Sequence, residues 1–311
     1  MTHTTTPRAD DEIIEEYRKA HFTGTHRYFF QDLRRSALIR LANLAPDFWG
    51  ARVRNPLFVI GCARSGTTLL QSLLAQHRDI ANWSEASILW DPSGYYWSVS
   101  ARETPPLWVD PEGYTARWRR DNLPRGREIR ASFGLFQGIT RKPYLLNKNP
   151  ENLFRIPDIL SIFPEAHIVH IVRDGRAVVS SSLKRMLRKV EKWPEFHRLA
   201  EVDFSEDEMA VRMSVFWRKS MCEVESQDRA LNLKAGGKLL EIRYEDLCEN
   251  RSEPLRQICE LVGLRGDRFQ PAVWRMPVES RNFKWKQRFT PQLVEQMEAA
   301  MQPKLADWGY V

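Results

Sequence analysis

The chain has 311 residues, 42% of them hydrophobic, which suits a large α/β domain with a sizeable core and excludes a disordered chain. Lys and Arg number 47 against 40 Asp and Glu; the formal net charge of +7 favours an anionic partner without choosing among a nucleotide, a nucleic acid, an acidic protein or a membrane face. The opening MTHTTTPRADDEIIEEYRKA lacks the apolar run of a secretory signal, and no stretch approaches the ~18 apolar residues of a membrane span, so a cytoplasmic protein with no membrane partner is expected.

In chain order, residues 1–50 predict one or two amphipathic helices, an extension preceding a single α/β domain over 51–311. A strand is expected at PLFVIG (56–61), followed by a short loop and a helix with Leu69, Leu70, Leu73 and Leu74 on its apolar side. Further strands are expected at IANW (80–83), YLLNK (144–148), HIVHIVR (167–173) and KLLEIRY (238–244), each leading into a loop or helix. Near-continuous apolar runs separated by helices imply a central parallel sheet covered on both faces, a three-layer α/β/α architecture. Between about residues 91 and 141 Trp, Tyr, Pro, Gly and Arg crowd together, which predicts an irregular insertion. Asn149–Pro150 and Thr290–Pro291 are expected to start helices, and Gly263 to end one whose buried face is Leu255, Ile258, Cys259 and Val262. Cys62, Cys222, Cys248 and Cys259 show no metal-ligand or disulfide spacing, which points to buried or half-buried free thiols and to no metal site.

The loop after the first strand carries the sharpest chemical signal. Gly61 and Gly66 hold the spacing of a triphosphate-binding loop, but Thr67 stands where its lysine belongs and Thr68 follows. Backbone N–H groups over 64–68 and the helix start still offer an anion site, with Arg64 to supply charge and the threonine hydroxyls to donate. A tight glycine turn in any α/β protein is the bland alternative. In HIVRDGRAVVSSSLKR, Arg173 ends a strand, and Ser181 and Arg185 lie one turn apart on the next helix, an arrangement able to clamp a second phosphate. Asp174 is read as that helix's cap. Ligands in open parallel sheets bind beyond the strands' carboxyl ends, where Arg64, Glu85, Lys148 and Arg173 all fall.

RSGTTLLQSLLAQH together with IVRDGRAVVSSSLKR resembles the sulfotransferase family, and the likeness extends through LLNKNPENL, LLEIRYEDL and NFKWKQRFTPQLVEQM, over roughly residues 56–311 with the insertion at 91–141 outside it. It implies a P-loop-like phosphosulfate-binding loop and a metal-independent sulfotransferase that uses 3′-phosphoadenosine 5′-phosphosulfate (PAPS) as sulfuryl donor. The same likeness makes Arg64, Ser65, Gly66, Thr67 and Thr68 the cradle of the donor's 5′ end, and Arg173, Ser181 and Arg185 contacts of its 3′-phosphate. Tyr244 would lie near the adenine, with Ser280 and Lys284 closing over the nucleotide.

Where cytosolic members carry Lys-Thr-His with its catalytic histidine, this chain reads Lys148, Asn149, Pro150. The tyrosylprotein branch is similar in placing a glutamate after the second strand, which matches Glu85, and a lysine that matches Lys148. Glu85 is therefore expected as the base and Lys148 as stabiliser of the leaving oxygen. That branch has an arginine at the position of Ser87, and its membrane anchor has no counterpart here; both differences favour a small-molecule acceptor, an apolar or aromatic alcohol, over an acidic peptide. Trp90, Tyr95, Tyr96 and Trp97 are expected either to wall the acceptor or to fill the core. The alternatives are a kinase or other P-loop nucleotide-binding protein, disfavoured by the missing lysine, and a basic nucleic-acid-binding protein, for which no motif appears.

Overall fold

The computed structural model describes residues 34–91, 107–192, 205–275 and 278–311. Five strands, β1 (Pro56–Ile60), β2 (Ile80–Ser84), β3 (Tyr144–Lys148), β4 (His167–Val172) and β5 (Leu239–Arg243), coincide with the five expected from sequence, with ends that differ by a residue or so. All pairings are parallel and the order is β2-β3-β1-β4-β5. The chain builds to one side of β1 through β2 and β3 and to the other through β4 and β5. Open α/β sheets bind ligands at such a reversal, beyond the strands' carboxyl ends.

The principal helices are α1 (Thr67–Leu74), α2 (Pro111–Asn122), α3 (Gly126–Thr140), α4 (Ile156–Ile162), α5 (Gly175–Lys192), α6 (Glu206–Leu231), α7 (Ser252–Val262) and α8 (Pro291–Met301). Because strand side chains alternate between faces, β1 feeds two cores at once. Leu57 and Val59 pack with Leu70 and Leu73 of α1 and with Leu255 and Ile258 of α7. Phe58 points the opposite way, to Phe133 of α3 and Ile159 of α4, and Ile60 joins Val224 of α6. A further cluster seats α5, α6 and α8 on one another through Val179, Trp217 and Met297. The expected three layers are present, and β1 is buried along its whole length.

The capping signals worked as expected. Thr290 Oγ1 accepts the Leu293 N–H at 3.3 Å with Pro291 opening α8, and Gly263, at φ 72°, lets the Leu264 N–H reach the Cys259 carbonyl at 2.8 Å. Asn149 Oδ1 likewise accepts the Glu151 N–H at 3.2 Å. The helix it starts is a short 3₁₀ turn, Pro150–Phe154, that breaks at Arg155 before α4 begins. Pro157 has no N–H to offer the Leu153 carbonyl, so a continuous helix would leave that oxygen bare. The Gln227 amide of α6 fills the gap, donating to Leu153 O and accepting from Ile156 N, both at 2.9 Å.

The expectation of irregular backbone across 91–141 is corrected over 111–140, which is almost wholly helical. Asp110 caps α2 by accepting the Gly113 N–H at 2.9 Å, and Pro111 takes the first turn, where its missing N–H costs nothing. The glycines of α3 act as spacers: a Cβ on Gly134 would sit 1.9 Å from the Trp49 carbonyl oxygen, so only glycine admits the turn Pro46–Gly50 against this helix. The helical expectation for residues 1–50 is seen in that turn and over 34–42, its earlier part lying outside the described residues. Cys62 and Cys259 are buried free thiols and Cys248 is half-buried, but Cys222 is exposed. Among the described residues no helix is long and apolar enough to cross a membrane, and no cluster of His, Cys, Asp or Glu could hold a metal ion.

Candidate active site

The loop from Gly61 to Gly66 is shaped by two close approaches. A Cβ at Gly61 would lie 2.5 Å from the Ile171 carbonyl of β4, and one at Gly66, φ 99°, would lie 2.5 Å from the Tyr244 ring. Arg64 takes the left-handed region without being glycine, at φ 76°. The result is a tight cradle over the start of α1, whose first residues receive no side-chain cap. The Ser65 hydroxyl inside it is fully buried and has no hydrogen-bond partner, an arrangement that asks for a ligand acceptor. Thr67 is buried against Gly61, whereas Thr68 is exposed at the cradle's rim. Gly66→Ala is expected to cost roughly 1–3 kcal/mol through backbone strain and collision with Tyr244. Urea unfolding measures it directly; an unchanged midpoint would mean that the loop re-forms around a side chain.

Four guanidinium groups converge beside the cradle. Arg64 Nε donates to Ser181 Oγ of α5 at 3.0 Å, and Arg173 Nη1 donates to the Arg64 carbonyl at 3.0 Å. Burial, followed by the charges of Arg185, Arg173 and Arg281, pushes Arg64 below its ordinary value. Among the described residues none of the four reaches a carboxylate within ion-pairing distance, so repulsion is stored where an anion would relieve it. The Arg173 guanidinium stacks 4.3 Å from the Tyr244 ring centroid, which ties the end of β4 to the end of β5. Asp174 serves as the helix cap expected of it, accepting the Arg176 N–H at 2.9 Å, and also pairs with the Arg176 side chain.

At the other end of the loop, β2 and β3 deliver a carboxylate and an amine. Register pairs Ser84 with Lys148, and the Glu85 N–H donates to the Lys148 carbonyl at 3.0 Å, which turns Glu85 back over the strand end with φ 33°. Lys148 is 1% exposed; its ammonium donates to Glu85 Oε1 and to Thr68 Oγ1, the latter at 3.3 Å. A buried ammonium needs such partners. The Glu85 side chain is 57% exposed, so the pair has one dry member and one facing solvent. Among the described residues no histidine takes part: His77 bonds the Arg265 carbonyl and His170 bonds Glu241.

Residues 56–268 match the family model described as the Sulfotransferase family. The chain belongs to the sulfotransferase family. It is 28% identical over 210 residues to a putative protein-tyrosine sulfotransferase of Caenorhabditis briggsae, an alignment covering 67% of this chain and 65% of that protein. Over 256 residues it is 25% identical to the omega-hydroxy-beta-dihydromenaquinone-9 sulfotransferase of Mycobacterium bovis, covering 67% of this chain and 63% of the relative. The chain thus spans a little under two thirds of the length of these relatives. In fold it is similar to the sulfotransferase STF1 of Mycobacterium tuberculosis, with a TM-score of 0.56 at 16% identity over 85% of this chain and 81% of that one.

Within this member of the family the residues expected at the site separate into groups. Arg64, Ser65, Gly66, Thr68, Lys148 and Glu85 form one connected rim, and Arg173, Ser181 and Tyr244 adjoin it. Arg185 is exposed on α5, one turn beyond Ser181, and joins them through its charge. Ser280 and Lys284 are exposed, and among the described residues neither forms a hydrogen bond or ion pair with this group; Ser280 Oγ accepts the Asn282 N–H at 3.5 Å. Their neighbours do reach the group: Arg281, itself exposed, by its charge on Arg64, and Asn282 by accepting Arg173 Nε at 2.8 Å. Sequence reasoning missed both because nothing local in this stretch marks which residue meets a distant arginine. Trp90 proves to be core: it is 1% exposed, lies 6.0 Å from Phe58 ring to ring, and donates to Asn147 Oδ1 at 3.0 Å. Tyr95, Tyr96 and Trp97 lie outside the described residues.

Proposed function

We propose that this chain transfers a sulfuryl group from PAPS to the hydroxyl of a small-molecule acceptor and releases adenosine 3′,5′-bisphosphate. The observation that carries it is Arg64, which joins two anion loci: its carbonyl holds Arg173, its side chain holds Ser181, and its own loop forms the cradle. A nucleotide with phosphate groups at both ends of its ribose fits this spacing of chemistry. The orphaned Ser65 hydroxyl and the backbone over 64–68 would hold the 5′ end; Arg173, Ser181, Arg185 and Arg281 would hold the 3′-phosphate. Tyr244 offers the adenine a ring edge beside Gly66.

The donor, when bound, supplies the sulfuryl group and a phosphate leaving group. Glu85, half in solvent, would take the acceptor's proton, and Lys148, bonded to Thr68, would meet charge that develops there; the exposure of the one and the burial of the other support this division. The names of the two relatives specify a phenol and an alkyl alcohol as acceptors of those proteins, which supports a hydroxyl here. An apolar or aromatic small alcohol is favoured over an acidic peptide by Ser87, which stands where the tyrosylprotein branch carries an arginine. A cytoplasmic location and a metal-free reaction belong to the same proposal.

Calorimetric titration without metal, using adenosine 3′,5′-bisphosphate, AMP and magnesium-ATP, tests it. The bisphosphate is expected to bind at least about tenfold more tightly than AMP, the contribution of one set of charge-assisted hydrogen bonds. Preference for magnesium-ATP would return the loop to triphosphate chemistry and overturn the proposal.

A further inference from the structure

Arg173 is anchored through a neutral group. Its Nε donates to Asn282 Oδ1 at 2.8 Å, and behind Asn282 stands Glu245, whose carboxylate accepts the Asn282 amide N–H. The same carboxylate accepts the backbone N–H of Asp174 at 3.2 Å and the Tyr310 hydroxyl at 2.9 Å. Glu245 follows β5, Asn282 opens the 3₁₀ turn Asn282–Gln287 and Tyr310 is the penultimate residue, so three segments converge behind one arginine. A primary amide has one accepting and one donating end. With a guanidinium on one side and a carboxylate on the other, its orientation is dictated: a flip would set donor against donor and acceptor against acceptor.

Glu245 could have paired with Arg173 directly, and the interposed amide has a distinct consequence. A carboxylate on the guanidinium would neutralise it and compete with any incoming anion. Resting on the nucleotide-binding role above, we infer that Asn282, oriented by Glu245, is a positioning residue that aims Arg173 while leaving its charge unpaired for the 3′-phosphate. Asn282 thus keeps the Glu245 carboxylate out of contact with Arg173, which feels that charge only across the amide, while the carboxylate itself holds the amide, the start of α5 and Tyr310.

The Asn282→Asp substitution separates this role from simple pinning of the turn, because aspartate keeps the acceptor for Arg173 Nε but brings a charge. Calorimetry with adenosine 3′,5′-bisphosphate and with AMP reads the effect as a ratio of affinities, beside the melting temperature. N282D is expected to lower that ratio by about tenfold or more, the scale of one charge-assisted phosphate contact. Asn282→Ala, which removes the acceptor without adding charge, should lose less. The double variant Glu245→Gln with Asn282→Asp no longer sets two carboxylates face to face, but the amide that meets the aspartate cannot also accept the Asp174 N–H, so it should recover part of the melting temperature and none of the ratio. A wild-type ratio in N282D or in the double variant would overturn the inference. So would an equal fall in AMP and bisphosphate affinity, which marks an effect on the fold. If the wild-type protein itself fails to prefer the bisphosphate over AMP, the proposed function falls and takes this inference with it; wild-type preference with an indifferent N282D removes the inference alone.

Discussion

Glu85→Gln is expected to lower the rate of sulfuryl transfer by about 10²–10⁴-fold, the usual contribution of a positioned general base, while leaving the affinity for adenosine 3′,5′-bisphosphate within about twofold. Glutamine keeps the size of the side chain and an oxygen able to accept from Lys148, so the ion pair becomes a neutral-acceptor hydrogen bond and the loop retains its shape. The capacity to take a proton is lost together with the charge that faces the buried ammonium. The half-exposed position matters, since an acceptor hydroxyl must reach the carboxylate from solvent, and Glu85 offers that access where Lys148 does not. Single-turnover transfer to a panel of alkyl and phenolic alcohols, followed with radiolabelled donor, measures the effect. Unchanged turnover in E85Q would remove Glu85 from the mechanism.

Lys148→Met should reduce turnover by about 10²–10³-fold, the cost of withdrawing one preorganised charge from a developing anion. The fold is expected to tolerate it better than most buried substitutions. Methionine fills nearly the same volume without a charge that needs partners, and the Glu85 carboxylate left behind is exposed enough to be solvated. Thr68 loses one neighbour at 3.3 Å and keeps its backbone role in α1, where its carbonyl accepts the Ser72 hydroxyl at 2.8 Å. Comparison of acceptors with different alcohol pKa distinguishes the two residues. Loss at Lys148 acts on the donor's leaving oxygen and should depend little on the acceptor, whereas loss at Glu85 should shrink for more acidic phenols. A K148M protein that turns over normally would assign the lysine to folding alone.

Much of the molecule was legible residue by residue. Strand-forming apolar runs, the Asn149, Thr290 and Gly263 caps, and the altered phosphate loop are local signals that depend on a few neighbours in the chain. The reading failed where a residue's meaning was set by something distant. Proline and glycine between residues 111 and 140 looked like breakers, yet Pro111 opens a helix and Gly134 makes room for the Trp49 backbone. Trp90 near Glu85 looked equally like pocket wall and core, and only its packing against Phe58 decided. Arg281 and Asn282 were passed over for Ser280 and Lys284 because their partners, Arg64 and Arg173, lie more than a hundred residues away in the chain.

The sequence by itself determined the parallel α/β class, the sulfotransferase likeness and the identity of nearly every charged group at the strand ends, because strand, turn and cap chemistry act over a handful of residues. The tertiary structure alone decided who meets whom. Glu85 and Lys148 are 63 residues apart, Arg64 and Ser181 are 117 apart, and Arg173 and Asn282 are 109 apart, yet each pair is in contact. For the first two pairs the meeting follows from the order β2-β3-β1-β4-β5, which brings the carboxyl ends of neighbouring strands and the segments that follow them side by side, and for the third from the 3₁₀ turn that packs beside β4's end. Sheet order is set by burying both faces of β1 at once, a property of the whole assembly that no single segment contains.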